Sequence, residues 1–336
     1  MTEAEAASAL QERPLPLVGA QLSSAGGWDK VPDRVRSTGA EVVQLFSSNP
    51  RTWRTRAPDV AGLADLGQSL RALGAPLFLH SIYLINLASP DPELRARSTS
   101  ALAHALFTAV LSGAAGVVTH LGSHRGEGFA KALPWIASSL HATAAKAQDH
   151  LDGLAEALAT HAVGDPGPAS PLSLPPLLLE TSAGSGATVG TTLEELAAVL
   201  EAFEATCSPG KSLRLGLCLD SAHLFAAGYP IHRSAGLAAL REELEHRGLL
   251  GRLGLMHLND SASPFASNRD RHADPGEGQL GHAALVRIVR DPVLRQVPFV
   301  LEVPGPERQG PTAAEIDLVK AMRRVAADRP RRPAGA

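Results

Sequence analysis

The chain has 336 residues and a formal net charge of −3, with 44% hydrophobic, 19% charged and 4% aromatic residues. Its 31 glycines and 25 prolines follow no period, which with the apolar content excludes a collagen-like or wholly disordered chain. The charge balance gives no overall nucleic-acid footprint, although bound cations would reverse the local sign.

From the N-terminus, residues 1–12 read as an acidic leader without the basic start and apolar core of a signal peptide. Apolar β-type runs then recur at 17–22, 42–46, 77–80, 117–120, 177–180, 215–220, 255–258 and 299–302. They are nearly continuous, as expected of parallel strands buried on both faces. Segments with helical spacing lie between them, at 61–73, 92–111, 192–205, 235–247 and 313–327. Thr192-Leu-Glu-Glu-Leu has the form of a capped helix start. Residues 98–124 lack Asp, Glu, Lys and Arg over a length that could span a bilayer. Polar residues and glycines interrupt them, and the pattern changes midway, so they read as a core helix followed by a buried strand. Residues 162–176 are rich in Pro, Gly and Ser and read as a surface insertion; 329–336 read as a polar tail. Eight strand–helix alternations predict a single α/β domain over 13–328, a (β/α)₈ TIM barrel. Cys207 and Cys218 cannot build a disulfide framework; they read as core residues and suit a reducing compartment.

Six of the eight runs finish on or near a metal-ligand type: His80, His120, Glu180, Asp220, His257 and Glu302. The C-terminal mouth of a barrel gathers strand ends into one place. Any one of these histidines, alone, reads as an ordinary core or surface residue; six strand ends sharing ligand chemistry do not. His223, Asp270 and His272 extend the set. Mixed His and carboxylate donors favour zinc or manganese over magnesium. Nine donors exceed one tetrahedral ion and suit a cluster of two or three, an arrangement apt for phosphate-ester hydrolysis. The remaining histidines (His104, His124, His141, His150, His161, His232, His246 and His282) read as solvated or mixed-surface residues. In the loops, Arg51 offers a guanidinium, Trp53 a flat ring, and Tyr83 and Leu84 a wedge of the kind that fills a gap in stacked bases; the plain alternative puts Trp53 in the core.

Two glycine patterns point elsewhere. GEGQLG at 276–281 has the spacing of a dinucleotide loop but follows Asp-Pro rather than a strand. Gly184-Ser-Gly186 follows a strand and reads as a tight turn, the alternative being a loop whose backbone amides approach a phosphate.

Several segments together resemble the endonuclease IV family of zinc-dependent apurinic/apyrimidinic endonucleases. They are VGAQLSSAGG (18–27), QLFSSNPRTWR (44–54), HSIYLINL (80–87), HLGSH (120–124), LETSAGSG (179–186), CLDSAHLFAAGY (218–229), MHLND (256–260), DRH (270–272), GEG (276–278) and LE (301–302). The resemblance runs collinearly from about residue 17 to 325. It implies a xylose-isomerase-like barrel with three Zn²⁺ ions, manganese being able to replace one. By resemblance, His80, His120 and Glu180 hold one ion. Glu180, Asp220, His257 and Glu302 hold the second, and His223, Asp270 and His272 the third. It further implies catalysis assisted by Glu180 and a flipped nucleotide, with Arg51, Trp53, Tyr83 and Leu84 on DNA. The implied partner is double-stranded DNA with abasic sites or blocked 3′ ends, cut 5′ to the abasic sugar by a cytoplasmic monomer that engages no membrane. The chain departs from the family pattern at Gln21, Ser81, Ile82, Leu121, Thr181 and Val303, none of them an implied ligand. A sugar isomerase or epimerase on the same barrel is the alternative enzyme, and a DNA-damage-binding protein without turnover the non-enzymatic one. The former predicts fewer, more carboxylate-rich ligands and no wedge.

Overall fold

The computed structural model describes residues 15–55, 57–161, 173–206 and 213–324, and side chains among these except 156–161. The expected leader and tail, Cys207, the His161 side chain and 162–172 of the expected insertion lie outside the described residues.

The strands are β1 (Val18–Gln21), β2 (Val43–Phe46), β3 (Leu77–His80), β4 (Gly116–Thr119), β5 (Leu177–Glu180), β6 (Leu215–Asp220) and β7 (Leu253–His257). The two-residue β8 (Asp260–Ser261) and β9 (His272–Ala273) follow, then β10 (Phe299–Leu301). All but β8 and β9 are parallel and close into a barrel in the order β1-β10-β7-β6-β5-β4-β3-β2. The helices are α1 (Val31–Thr38), α2 (Val60–Ala72), α3 (Pro92–Ser112), α4 (Phe129–His161) and α5 (Leu193–Glu204). They continue as α6 (Ser221–Ala226), α7 (Ser234–His246), α8 (His282–Arg290) and α9 (Ala313–Arg323).

Local chemistry accounts for the element ends. Asp59 and Asp91 cap α2 and α3, with Pro92 at the first position of α3, and Gly113 ends α3 at φ 62°. The Thr192 side chain accepts from Glu195 N, as its sequence suggests. The Glu195 carboxylate turns back to Gly190 N and Thr191 N, so the cap also secures the loop before it. The charge-free stretch becomes the C-terminal part of α3 followed by β4. Among the described residues no helix is long and apolar enough to cross a membrane.

Strand side chains alternate between two cores. Val43, Leu45, Leu77, Leu79, Val117, Leu177 and Leu179 pack outward against the helices. Val42, Phe78, Val118, Leu178, Cys218, Leu255 and Val300 fill the barrel interior. Gly216 keeps that interior open, because a Cβ there would lie 2.8 Å from Leu178 Cδ2. Side-chain direction repeats every second residue. The position two beyond each interior residue therefore points inward too, one layer nearer the C-terminal mouth. Those positions are Gln44, His80, His120, Glu180, Asp220, His257 and Glu302. On β1, Val18 and Ala20 belong to the outer core, so Gln21, in register with Gln44, completes the layer.

Candidate metal centre

Burial makes this layer chemically unusual. Glu180, Asp220 and His257 are fully buried, and His80 nearly so; an ionisable group this deep needs a partner or a cation. Among the described residues, three sets of donor atoms converge closely enough to hold an ion: His80/His120/Glu180, Glu180/Asp220/His257/Glu302, and Asp220/His223/His272. Glu180 belongs to the first two and Asp220 to the last two, so the sets form one cluster with carboxylates at its joints.

Chain geometry delivers the third set from outside the ring. His223 lies on α6, which starts immediately after β6, with Asp220 as its cap: Oδ1 accepts from His223 N at 2.8 Å. His272 is carried by β9, paired antiparallel with β8 through Ser261. Asp270 reaches in from the loop before it, with oxygens 3.2 Å from both His223 Nε2 and His272 Nε2. Asp270 is half-exposed, and the tight third set has Asp220 in its place. The geometry thus brings Asp270 to the two histidines and adds Asp220 beside them.

The ring nitrogens are oriented for ligation. His80 Nδ1 donates to Ser81 O (2.8 Å), His223 Nδ1 to Thr181 O (2.9 Å), His272 Nδ1 to Glu302 O (3.0 Å), and His257 Nε2 to Gln44 Oε1 (3.0 Å). Each such bond fixes a tautomer whose other nitrogen carries a lone pair. Those other nitrogens face carboxylates: His80 Nε2 lies 3.1 Å from Glu180 Oε2, and His257 Nδ1 3.1 Å from Glu180 Oε1 and 3.2 Å from Glu302 Oε2. His120 Nε2 joins them at 3.1 Å from Glu180 Oε2. His272 Nε2 is buried and aligned with no hydrogen-bond partner, despite its 3.2 Å approach to Asp270. Lone pairs aimed at oxygens, with one buried nitrogen unpartnered, are what divalent cations would satisfy, and the mixed His/carboxylate donors suit zinc.

Burial and charge compete at these groups. Burial acts to raise Glu180, but the His120 and His257 charges and hydrogen bonds from His223 and His257 override it, leaving the carboxyl well below its usual range. Burial opposes charge on His223 and His272. Asp220 and Asp270 outweigh it, lifting His223 well above the usual range and His272 to about 9.

Residues outside the expected ligand set hold this layer together. Gln44 joins His257 to Glu302, and Asn259 donates to Asp220 Oδ2 (2.6 Å) while accepting from Glu302 N (2.8 Å). Thr181, a departure from the family pattern, accepts from Asp220 N through Oγ1 and from His223 through its carbonyl. The Asp260 carboxylate accepts from Ser261 N, Gly276 N, Gly278 N, Leu280 N and Gly281 N. That explains the 276–281 glycines: a Cβ on Gly278 would lie 2.4 Å from Asp260 Oδ1. Gly184 and Gly186 have positive φ, and Ser185 Oγ between them donates to Asn268 O. Both side-chain polar atoms of Gln21 are buried without a partner. Ile82, Leu121 and Val303 are buried and apolar. Gln and Asn carry no ligand signature, so the only signal for Gln44 and Asn259 is their position in or beside the inward layer.

Beside the mouth, Tyr83 is 59% exposed, and its ring meets Phe46 edge-on at 5.1 Å and His80 at 6.1 Å. Tyr83 N donates to Pro50 O, tying its loop to the one that carries exposed Arg51. Leu84 is half-buried against the core. Trp53 also packs on the core, and the Arg97 guanidinium lies 4.9 Å over its ring. None of His104, His124, His141, His150, His232, His246 and His282 is buried.

Comparisons with known proteins add an independent line. Residues 32–323 match the family model described as a xylose isomerase-like TIM barrel. The chain is 35% identical over 312 residues to a probable endonuclease 4 of Nitratidesulfovibrio vulgaris (Hildenborough), covering 93% of this chain and 99% of that one. It is 37% identical over 310 residues to a probable endonuclease 4 of Halorhodospira halophila, covering 91% and 93%. Among solved structures, endonuclease IV from Thermus thermophilus superposes with a TM-score of 0.71 at 29% identity, covering 91% of this chain and 98% of that one. A D-tagatose 3-epimerase-like protein superposes with a TM-score of 0.58 at 14% identity, covering 91% and 95%, a likeness of fold alone.

Proposed function

The chain belongs to the endonuclease IV family of xylose isomerase-like TIM barrels, and from that membership we propose that it is a DNA repair endonuclease that cuts 5′ to abasic sites with a three-zinc cluster, leaving a 3′-hydroxyl and a 5′-deoxyribose phosphate. The observation that carries the reading is the convergence of three donor sets joined by Glu180 and Asp220.

In this reading His80, His120 and Glu180 hold one ion, and Glu180, Asp220, His257 and Glu302 the second. His223, Asp270 and His272 hold the third, with Asp220 adjacent. Bound zinc supplies Lewis acidity toward the phosphate and a nucleophile at neutral pH. Glu180 belongs to two donor sets, so it would hold two ions and help position the nucleophile. Arg51 binds a backbone phosphate, and Tyr83 and Leu84 fill the gap left by a flipped abasic nucleotide. Trp53, packed on the core with Arg97 over its ring, contacts DNA from the same loop as Arg51. The single barrel domain, 13–328, acts as a cytoplasmic monomer on double-stranded DNA with abasic sites or blocked 3′ ends.

The direct test is incision of a duplex carrying one abasic-site analogue, before and after chelation and with zinc restored. We expect a single 5′ incision that is lost and regained. No incision by folded, zinc-loaded protein would turn attention to sugar substrates of the kind used by barrel epimerases.

A further inference from the structure

Six of the eight inward positions at the mouth are metal-ligand types; the other two, on β1 and β2, are Gln21 and Gln44. Gln44 is fully buried, where an unpaired amide would be costly. Its amide reaches across the barrel rather than along it. Nε2 donates to Glu302 Oε1 at 2.6 Å, and Oε1 accepts from His257 Nε2 at 3.0 Å. A carboxylate offers only acceptors, so the NH₂ end faces Glu302 and the oxygen faces the imidazole. With Nε2 so occupied, His257 presents the Nδ1 lone pair to the cluster. With Oε1 held, Glu302 turns Oε2 toward that same Nδ1, 3.2 Å away.

His257 and Glu302 are also the two donors that belong to the middle set alone. Glu180 is shared with the His80/His120 set, and Asp220 with the His223/His272 set. We infer that Gln44 is a positioning residue dedicated to the middle ion, clamping the two ligands among the described residues that this ion does not share. The inference rests on the metal-centre reading above and adds site selectivity: loss of Gln44 loosens one ion of the cluster and leaves the others.

The test uses the full chain loaded with zinc, as wild type, Gln44→Leu and Gln44→Glu. Leucine removes both hydrogen bonds at similar volume. Glutamate keeps an acceptor for His257 but sets a second carboxylate against Glu302. Each protein is dialysed against increasing chelator strength, and retained zinc per chain is measured by mass spectrometry. Removing a residue that orients a ligand weakens metal affinity by ~10–100-fold. One zinc equivalent should therefore leave both variants at chelator strength lower by that factor, while the remaining equivalents follow the wild-type curve. The melting temperature of the metal-free proteins is recorded alongside, since a general packing defect would lower it without singling out one equivalent. If Gln44→Leu fails to fold, Gln44→Glu carries the test. Unchanged zinc retention, or a shift of all equivalents together, would overturn the assignment. A wild-type chain that retains no zinc would overturn the metal-centre reading itself, seen before any variant is compared.

Discussion

Both carboxylate oxygens of Glu180 lie 3.1–3.3 Å from ring nitrogens of His80, His120, His223 and His257. Glu180→Gln preserves volume and removes the charge that joins two donor sets. Cleavage should fall more than ~10²-fold, beyond the effect of an outer-shell change, with the fold retained by circular dichroism; full cleavage would remove Glu180 from the mechanism. Arg51→Ala should weaken binding to intact and abasic duplexes alike and reduce the salt slope of log K by about 1, as one lost phosphate contact does. A salt slope equal to wild type would take Arg51 off the DNA. The cluster also predicts a pH response. In the metal-free chain, burial opposes charge on His272, but Asp220 and then Asp270 lift it to about 9. Its stabilising contribution is complete below the unfolded value of ~6.5 and is lost as pH rises through about 9. Zinc needs the unprotonated ring, so zinc uptake at pH 7 should release protons. Titration calorimetry in two buffers of different ionisation enthalpy reads this directly, and equal heats in both would contradict it.

At the scale of elements, the mouth depends on one short hairpin. β8 and β9 have two residues each, yet they carry His272 and anchor the 276–281 loop through Asp260. Replacing Asp260 by Ala would strand five buried or half-buried backbone N–H groups, so it should destabilise the chain by about 3 kcal/mol. Denaturant unfolding measures this, and a loss under ~1 kcal/mol would mean that the loop holds itself. The eight barrel strands were legible because each is an apolar run between helical segments. β8 and β9 were not, since two residues show no alternation. The glycines at 276–281 were visible as a pattern, but their reason lies in a carboxylate distant in sequence.

For the molecule as a whole, a cluster formed only on folding makes metal binding part of stability. Each independent site held at 100 times its dissociation constant would contribute about 2.7 kcal/mol. Chelation should therefore lower the melting temperature by at least ~5 °C, with recovery on zinc addition. Identical melts with and without chelator would mean that zinc is not a structural partner.

The sequence alone determined the barrel and the gathering of six ligand types at its mouth. Alternating strand and helix patterns, with right-handed crossovers, admit few other closed topologies. Strand ends converge at the mouth of such a barrel, so His80, His120, Glu180, Asp220, His257 and Glu302, at or near the ends of six runs, could be placed together from their positions along the chain. Only the tertiary structure decided who meets whom across that mouth. Gln44 touches His257 from 213 residues away, Asp220 stands beside His272 as well as His257, and Arg97 covers a face of Trp53. Such pairings depend on barrel stagger and side-chain packing, which join residues across the fold and leave no trace in any local pattern.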